Sequence, residues 1–121
     1  MIRYNERDME LIGIILRFCD EIDLAIKMFG KSFEVFENNN VFRNAVSMPL
    51  MQTGEYSNKL SDEFKASHPE IPWTVIRGMR NWFAHGYFDM DITKIWEAAV
   101  DDIPALKKFC EEVLDEQQIK N

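Results

Sequence analysis

From about Glu6 to Phe29, apolar residues recur at helical spacing: Leu11, Ile12, Ile15, Cys19, Ile22, Ile26 and Phe29. Ile14, Leu16, Phe18 and Leu24 widen that stripe beyond one face, which suits a helix central to a bundle or shared with a partner subunit. Gly30 is a natural C-terminal stop. A short helical turn is expected around Phe33 to Phe36, after which Asn38, Asn39 and Asn40 break the chain. Asn40 can cap a long helix from Val41 to Ala66, with Gly54 tolerated inside it. Pro69 and Pro72 bracket the next boundary, and Pro72 suits the first turn of a helix that runs through about His85 and stops at Gly86. Asp91 can cap a further helix, and Asp101 with Pro104 opens the last one, which ends near Gln118. Sustained period-two alternation is absent and turn signals are sparse, so strands are not expected. The pattern predicts an all-α fold, an antiparallel bundle of four to five helices. With no repeat or Gly/Ser linker, residues 1–121 are expected to form a single domain.

Composition agrees with one soluble core: 121 residues, 46% hydrophobic and 29% charged. No apolar run approaches the roughly 18 residues of a membrane-spanning helix. The opening MIRYNERDME is polar and acidic, unlike a signal peptide, so a cytoplasmic protein with no membrane association is expected. Cys19 and Cys110 lie outside any CxxC or Cys/His pattern and read as packed free thiols, with a disulfide joining the two ends as the lesser reading. The net charge of −7 and pI near 4.8 argue against broad polyanion binding. An RNA substrate would require positive charge gathered in one local groove.

The segment Trp73 to Asp91, WTVIRGMRNWFAHGYFDMD, offers such a grouping. At 100° per residue, Val75, Ile76, Met79, Trp82 and Phe83 share one arc and would face the core. Arg77, Arg80, Asn81 and His85 share the opposite arc, with no carboxylate among them. Arginine's planar fork of donors matches phosphate oxygens and can stabilise charge that builds on them. Histidine titrates near neutrality and can move a proton to or from a ribose oxygen. His85 in a last helical turn would also have its protonated form favoured by the helix dipole. Asn81, one turn earlier, can orient His85 or bind substrate. No cluster of carboxylates or Cys/His ligands accompanies these groups, so neither a metal nor a cofactor is expected. Cleavage without a metal implies attack by a neighbouring 2′-hydroxyl, which restricts the substrate to RNA. One surface histidine supplies one acid or base, so a homodimer that sets two such faces across a groove would complete the site and concentrate its charge.

Arg80-Asn81-Trp82-Phe83-Ala84-His85-Gly86-Tyr87 resembles the R-x4-H-x-Y signature of the HepT toxins in the HEPN superfamily. Gly54-Glu55, Leu60-Ser61, Pro69 to Trp73, Gly86-Tyr87-Phe88 and Asp102 to Leu106 resemble the same family in its usual order, so the likeness covers nearly the whole chain. The resemblance implies a homodimer with a composite site in which Arg80 and His85 are catalytic, and Arg77 and Asn81, from their place on the same arc, are expected to bind substrate. It implies an endoribonuclease toxin acting on RNA, whether tRNA or mRNA, beside a minimal nucleotidyltransferase antitoxin. That antitoxin would silence the toxin by AMPylation of Tyr87, because a phosphate two residues from His85 would fill the cleft and repel RNA. Glu55 faces the family's cleft in some members, though nothing in this sequence by itself assigns it a role.

Plainer readings compete. His85 can be an ordinary helix-end histidine, Arg77 can pair with an acidic neighbour such as Glu70, and Tyr87 can be a packing residue. His68 reads as structural, and Trp73, Trp82, Phe83, Phe88 and Trp96 read as core. The acidic runs around Asp20 to Asp23 and Glu111 to Glu116 read as solvated helix faces. The principal alternative function is a non-catalytic helical module that binds nucleotide or substrate for a nucleotidyltransferase. A plain structural dimer is a third reading, favoured only by the acidic charge.

Overall fold

The computed structural model describes residues 4–83 and 91–120, with side chains described as far as residue 117. The fold is all-α, and no strand occurs among the described residues. Helix α1 spans Glu6–Phe29 and α2 spans Phe33–Asn38, followed by α3 over Asn40–Asn58 and α4 over Asp62–Ser67. Helix α5, Trp73–Gly78, tightens into a 3₁₀ turn over Met79–Phe83. Helix α6, Ile92–Glu97, passes through a π-helical turn at Ala98–Asp102 into α7, Ile103–Lys120.

Helix α1 lies at the centre, packed against α3 on one side and α7 on the other, as its wide apolar stripe predicts. Leu11, Ile12, Ile15, Cys19 and Ile22 are all buried in it. They meet Phe42, Val46 and Leu50 of α3 and Ile103, Leu106 and Cys110 of α7 in one hydrophobic cluster. Each fully buried aliphatic side chain of this set contributes on the order of 1.5–3 kcal/mol. Asn5 caps α1 by accepting from the Asp8 backbone N–H at 2.7 Å, and Gly30 ends it at φ 103°, a region few other residues enter at low cost. Cys19 and Cys110 are both free and buried, as expected.

Three expected boundaries differ. The helix expected over Val41 to Ala66 is two helices, because Ser61 caps α4 by accepting from Phe64 N–H at 3.1 Å. Buried Asp8 of α1 fixes that break by accepting from the backbone N–H of Ser61 at 2.9 Å and from its hydroxyl at 2.7 Å. The cap of α3 is Asn39, not Asn40, since the Asn39 side chain accepts from both Val41 and Phe42 N–H. The last two expected helices are joined instead of separated. Pro104 lacks an N–H and its ring would crowd the carbonyl four residues back, and the wider π turn, with Ile103 N–H bonded to Ala98 O, precedes it.

Candidate active-site seam

Helix α3 and the α5–3₁₀ segment pack closely, and one glycine makes this possible. A Cβ on Gly54 would sit 2.9 Å from the carbonyl oxygen of Ile76 and 3.0 Å from the backbone nitrogen of Arg80. Nothing larger than hydrogen fits there, so the backbone carrying Arg80 runs directly over α3. Ile76 and Met79, at 2% and 0% exposure, anchor the segment in the core below.

The 3₁₀ turn changes how the motif's side chains are arranged. With three residues per turn, positions i and i+3 eclipse, so Met79 and Trp82 share the inward row. Asn81 is exposed, Arg80 half-buried, and Arg77 exposed on α5. Val75, expected to face the core, is 49% exposed. His85 and Tyr87 lie outside the described residues. Phe88 lies outside them too, while Trp73, Trp82, Phe83 and Trp96 pack partly buried on the core.

Arg80 has a carboxylate neighbour after all, supplied by another helix. Its Nη1 lies 3.5 Å from Oε1 of Glu55, both side chains being about two-fifths exposed (37% and 43%). Helical-wheel reasoning on one segment could not find this pair, because it arises from the crossing at Gly54. The signal in the sequence was Gly54 beside Glu55. The pair leaves Arg80 reachable from solvent, held in one place by a partner that a phosphate can replace.

Arg77 has no carboxylate partner among the described residues, and Glu70 lies instead 3.7 Å from Nδ1 of His68. His68 is buried, its ring 4.7 Å from that of Phe64 and 5.0 Å from that of Phe109, which agrees with a structural role. The acidic face of α1 is not simply solvated: Asp20 and Asp23 grip Lys107 of α7 at 3.2 and 3.4 Å. Among the described residues, no three His, Cys, Asp or Glu side chains gather where they could hold a metal ion. No helix among them is long and apolar enough to cross a membrane.

Residues 18–113 match the family model described as Ribonuclease HepT-like. The chain belongs to that family. It is similar to a protein named "Putative RNase" from Caldanaerobacter subterraneus subsp. tengcongensis, at 35% identity over 86% of this chain and 91% of the relative. It is also 36% identical to a "Probable ribonuclease HepT" from Thermococcus cleftensis, over 86% of both chains. A "Putative RNase" of Methanocaldococcus jannaschii is 32% identical over 88% of this chain and 87% of its own. No solved structure matches the chain. Membership makes the protein an endoribonuclease by family.

Proposed function

We propose that this protein is a metal-independent endoribonuclease toxin whose active site is completed by a second copy of the chain. The observation that carries the reading is Arg80 itself. It is a half-exposed guanidinium fixed over α3 by the Gly54 crossing, in a family member whose next five residues lead to His85. Arg80 binds the non-bridging oxygens of the scissile phosphate and stabilises the charge that grows there. The ribose 2′-oxygen attacks the adjacent phosphorus and the bond to the 5′-oxygen breaks, leaving a 2′,3′-cyclic phosphate and a 5′-hydroxyl. His85 moves the proton, and the partner copy's histidine supplies the second proton transfer. Asn81 and Arg77 hold flanking parts of the RNA.

Dimerisation draws support from α1, where Leu24 and Met28, one turn apart, are 56% and 72% exposed. An apolar pair in that position suits a helix shared between subunits. The regulatory partner in this reading is a minimal nucleotidyltransferase antitoxin that transfers AMP to the Tyr87 hydroxyl. The added phosphate would set negative charge beside the arginines and exclude RNA. The mechanism is tested with an RNA carrying one 2′-deoxyribose at a mapped cleavage position. Cleavage should stop at that position alone, and the unsubstituted RNA should yield cyclic-phosphate ends. Cutting that continues at the deoxyribose, or leaves a 3′-hydroxyl, would exclude 2′-hydroxyl attack.

A further inference from the structure

Beyond Arg80, the same seam holds a second hollow, of about 190 Å³, lined by Ser57, Asn58, Lys65, Trp73, Thr74 and Arg77. It lies between the end of α3, helix α4 and the start of α5, one turn N-terminal to Arg80 along the α5 path. Two cations face it. Arg77 has no carboxylate partner among the described residues, and Lys65 has only a long 3.9 Å pairing with the wholly exposed Asp62. Among the described residues, no carboxylate lines the hollow. In a chain of net charge −7, a concave site with two cations and no lining acid is set apart from the rest of the surface.

Ser57 points to the kind of ligand. It is only 2% exposed, and its hydroxyl has no hydrogen-bond partner among the described residues. A hydroxyl inside a helix ordinarily donates to the carbonyl four residues back, as Thr53 does to Pro49 O at 2.8 Å on the same helix. Ser57 does not, although a buried unpaired hydroxyl costs about 1–3 kcal/mol. The Ser57 oxygen is closed to solvent in this conformation, and a χ1 turn toward the hollow would let a ligand oxygen accept from it, with the Asn58 amide and Thr74 hydroxyl at the wall as further donors.

We propose that this hollow is a phosphate subsite of the substrate cleft, in which Lys65 and Arg77 bind an RNA phosphate flanking the scissile one and Ser57 donates to its oxygen. It deepens the ribonuclease reading and rests on it for the identity of the strand. The geometry suits a phosphodiester better than a nucleobase: the only aromatic lining residue among those described, Trp73, is partly buried against Phe64 and Phe109, with its Nε1–H already donated to His68 O at 3.0 Å. The site would set how long an RNA the enzyme grips and leave the bond chemistry to Arg80.

The test is binding, by fluorescence anisotropy, of a labelled 2′-O-methyl oligoribonucleotide, which cannot be cut by 2′-hydroxyl attack. Its affinity is measured across a salt series for the full-length protein. Lys65→Gln should weaken binding several-fold and reduce the salt slope by about 0.7, the value for one lost phosphate contact on a single strand. Ser57→Ala should weaken binding while its thermal midpoint holds or rises, because an unpaired buried hydroxyl is removed. Lys31→Gln, which removes a lysine lining the separate α1–α7 hollow, is the charge-matched control and should leave the slope as in the wild type. A Lys65→Gln protein that matches Lys31→Gln in affinity and slope overturns the subsite, as does a wild type that does not bind the oligonucleotide. If the wild type cuts no RNA but the Lys65 and Ser57 effects on binding hold, the subsite stands and the catalytic reading fails. If the wild type cuts RNA but Lys65→Gln binds as the wild type does, the subsite fails and the catalytic reading stands.

Discussion

Two seams of this bundle carry ionisable groups, and they are balanced in opposite ways. Where α1 meets α7, Lys107 lies between Asp20 and Asp23, and Asp23 also pairs with Lys27 at 2.9 Å. Where α3 meets α4, α5 and the 3₁₀ turn, Arg80 has the single carboxylate of Glu55, Lys65 only the distant Asp62, and Arg77 none among the described residues. The α1–α7 seam also holds the larger hollow, about 300 Å³ against about 190 Å³. Volume would choose the first seam and charge the second. For a polyanionic substrate, unneutralised cations are what count, so the smaller hollow is the better marker of function. The same contrast answers the objection raised by the net charge of −7. Asp20 and Asp23 are engaged at the α1–α7 seam, and no described carboxylate lines the hollow between α3, α4 and α5.

The largest expected effect comes from closing the second seam by force. Gly54→Ala places a methyl 2.9 Å from the Ile76 carbonyl and 3.0 Å from the Arg80 nitrogen, both backbone atoms that cannot rotate away. Helix α3 and the turn must part, at a cost of about 1–3 kcal/mol. Thermal melting should show that loss, and RNA cleavage should fall further than the folded fraction does. Unaltered stability and activity would mean that the close crossing does not position Arg80.

A smaller change alters the balance without moving the backbone. Glu55→Gln removes the carboxylate beside Arg80 and should tighten RNA binding by about two- to fivefold at low salt, an effect of the size of an exposed ion pair. Anisotropy measured at low and at high salt checks it, and the gain should shrink as salt is added. Weaker binding by Glu55→Gln would show that the carboxylate serves RNA by orienting Arg80 more than it competes with it.

The balanced seam should respond least. The Asp23 carboxyl lies below its usual range, first through its hydrogen bond to Lys27 and also through Lys107. The Lys107 ammonium is raised, chiefly by its hydrogen bond to Asp20. A lowered acid stabilises the fold above its unfolded pKa and loses that contribution as pH falls through its folded value. A raised base stabilises below its unfolded pKa and loses that contribution as pH rises through its folded value. Both contributions are therefore present from about pH 5 to pH 10. Lys107→Gln should cost under about 1 kcal/mol in that window, since both carboxylates are solvent-screened, with no change in RNA binding. Melting across pH checks the window, and a cost confined to the acid limb alone would contradict the assignment. Burial pushes the Cys19 thiol up to about 12 and raises Cys110 further, so neither thiol is poised to react at this seam.

Local signals were legible in the sequence wherever one segment carried the whole cause. The α1 stripe, the Gly30 stop, the Asp91 cap and the free thiols follow from patterning and short-range capping, and each has its counterpart in the fold. What was not legible depended on contacts distant in sequence. Asp8 reaches Ser61 across 53 positions and splits one expected helix into two. Glu55 reaches Arg80 from another helix, and Ser57 and Lys65 meet Thr74 and Arg77 only after folding. The wheel over Trp73 to His85 assumed 100° per residue throughout, whereas the chain tightens to 3₁₀ at Met79. The motif supplied candidate residue types, while the placement of Arg80 came from the packing of α3.

The most direct test of metal-independent cleavage is the cutting of a labelled RNA in EDTA by the wild-type protein, Arg80→Ala and His85→Ala, all checked for folding by circular dichroism. The wild type should cut without a metal, and each variant should lose at least about 100-fold in rate, the scale of a lost charge-stabilising donor or proton-transfer group. A wild type that cuts only when a divalent metal is restored, or a folded His85→Ala protein that cuts at the wild-type rate, would contradict the proposed mechanism.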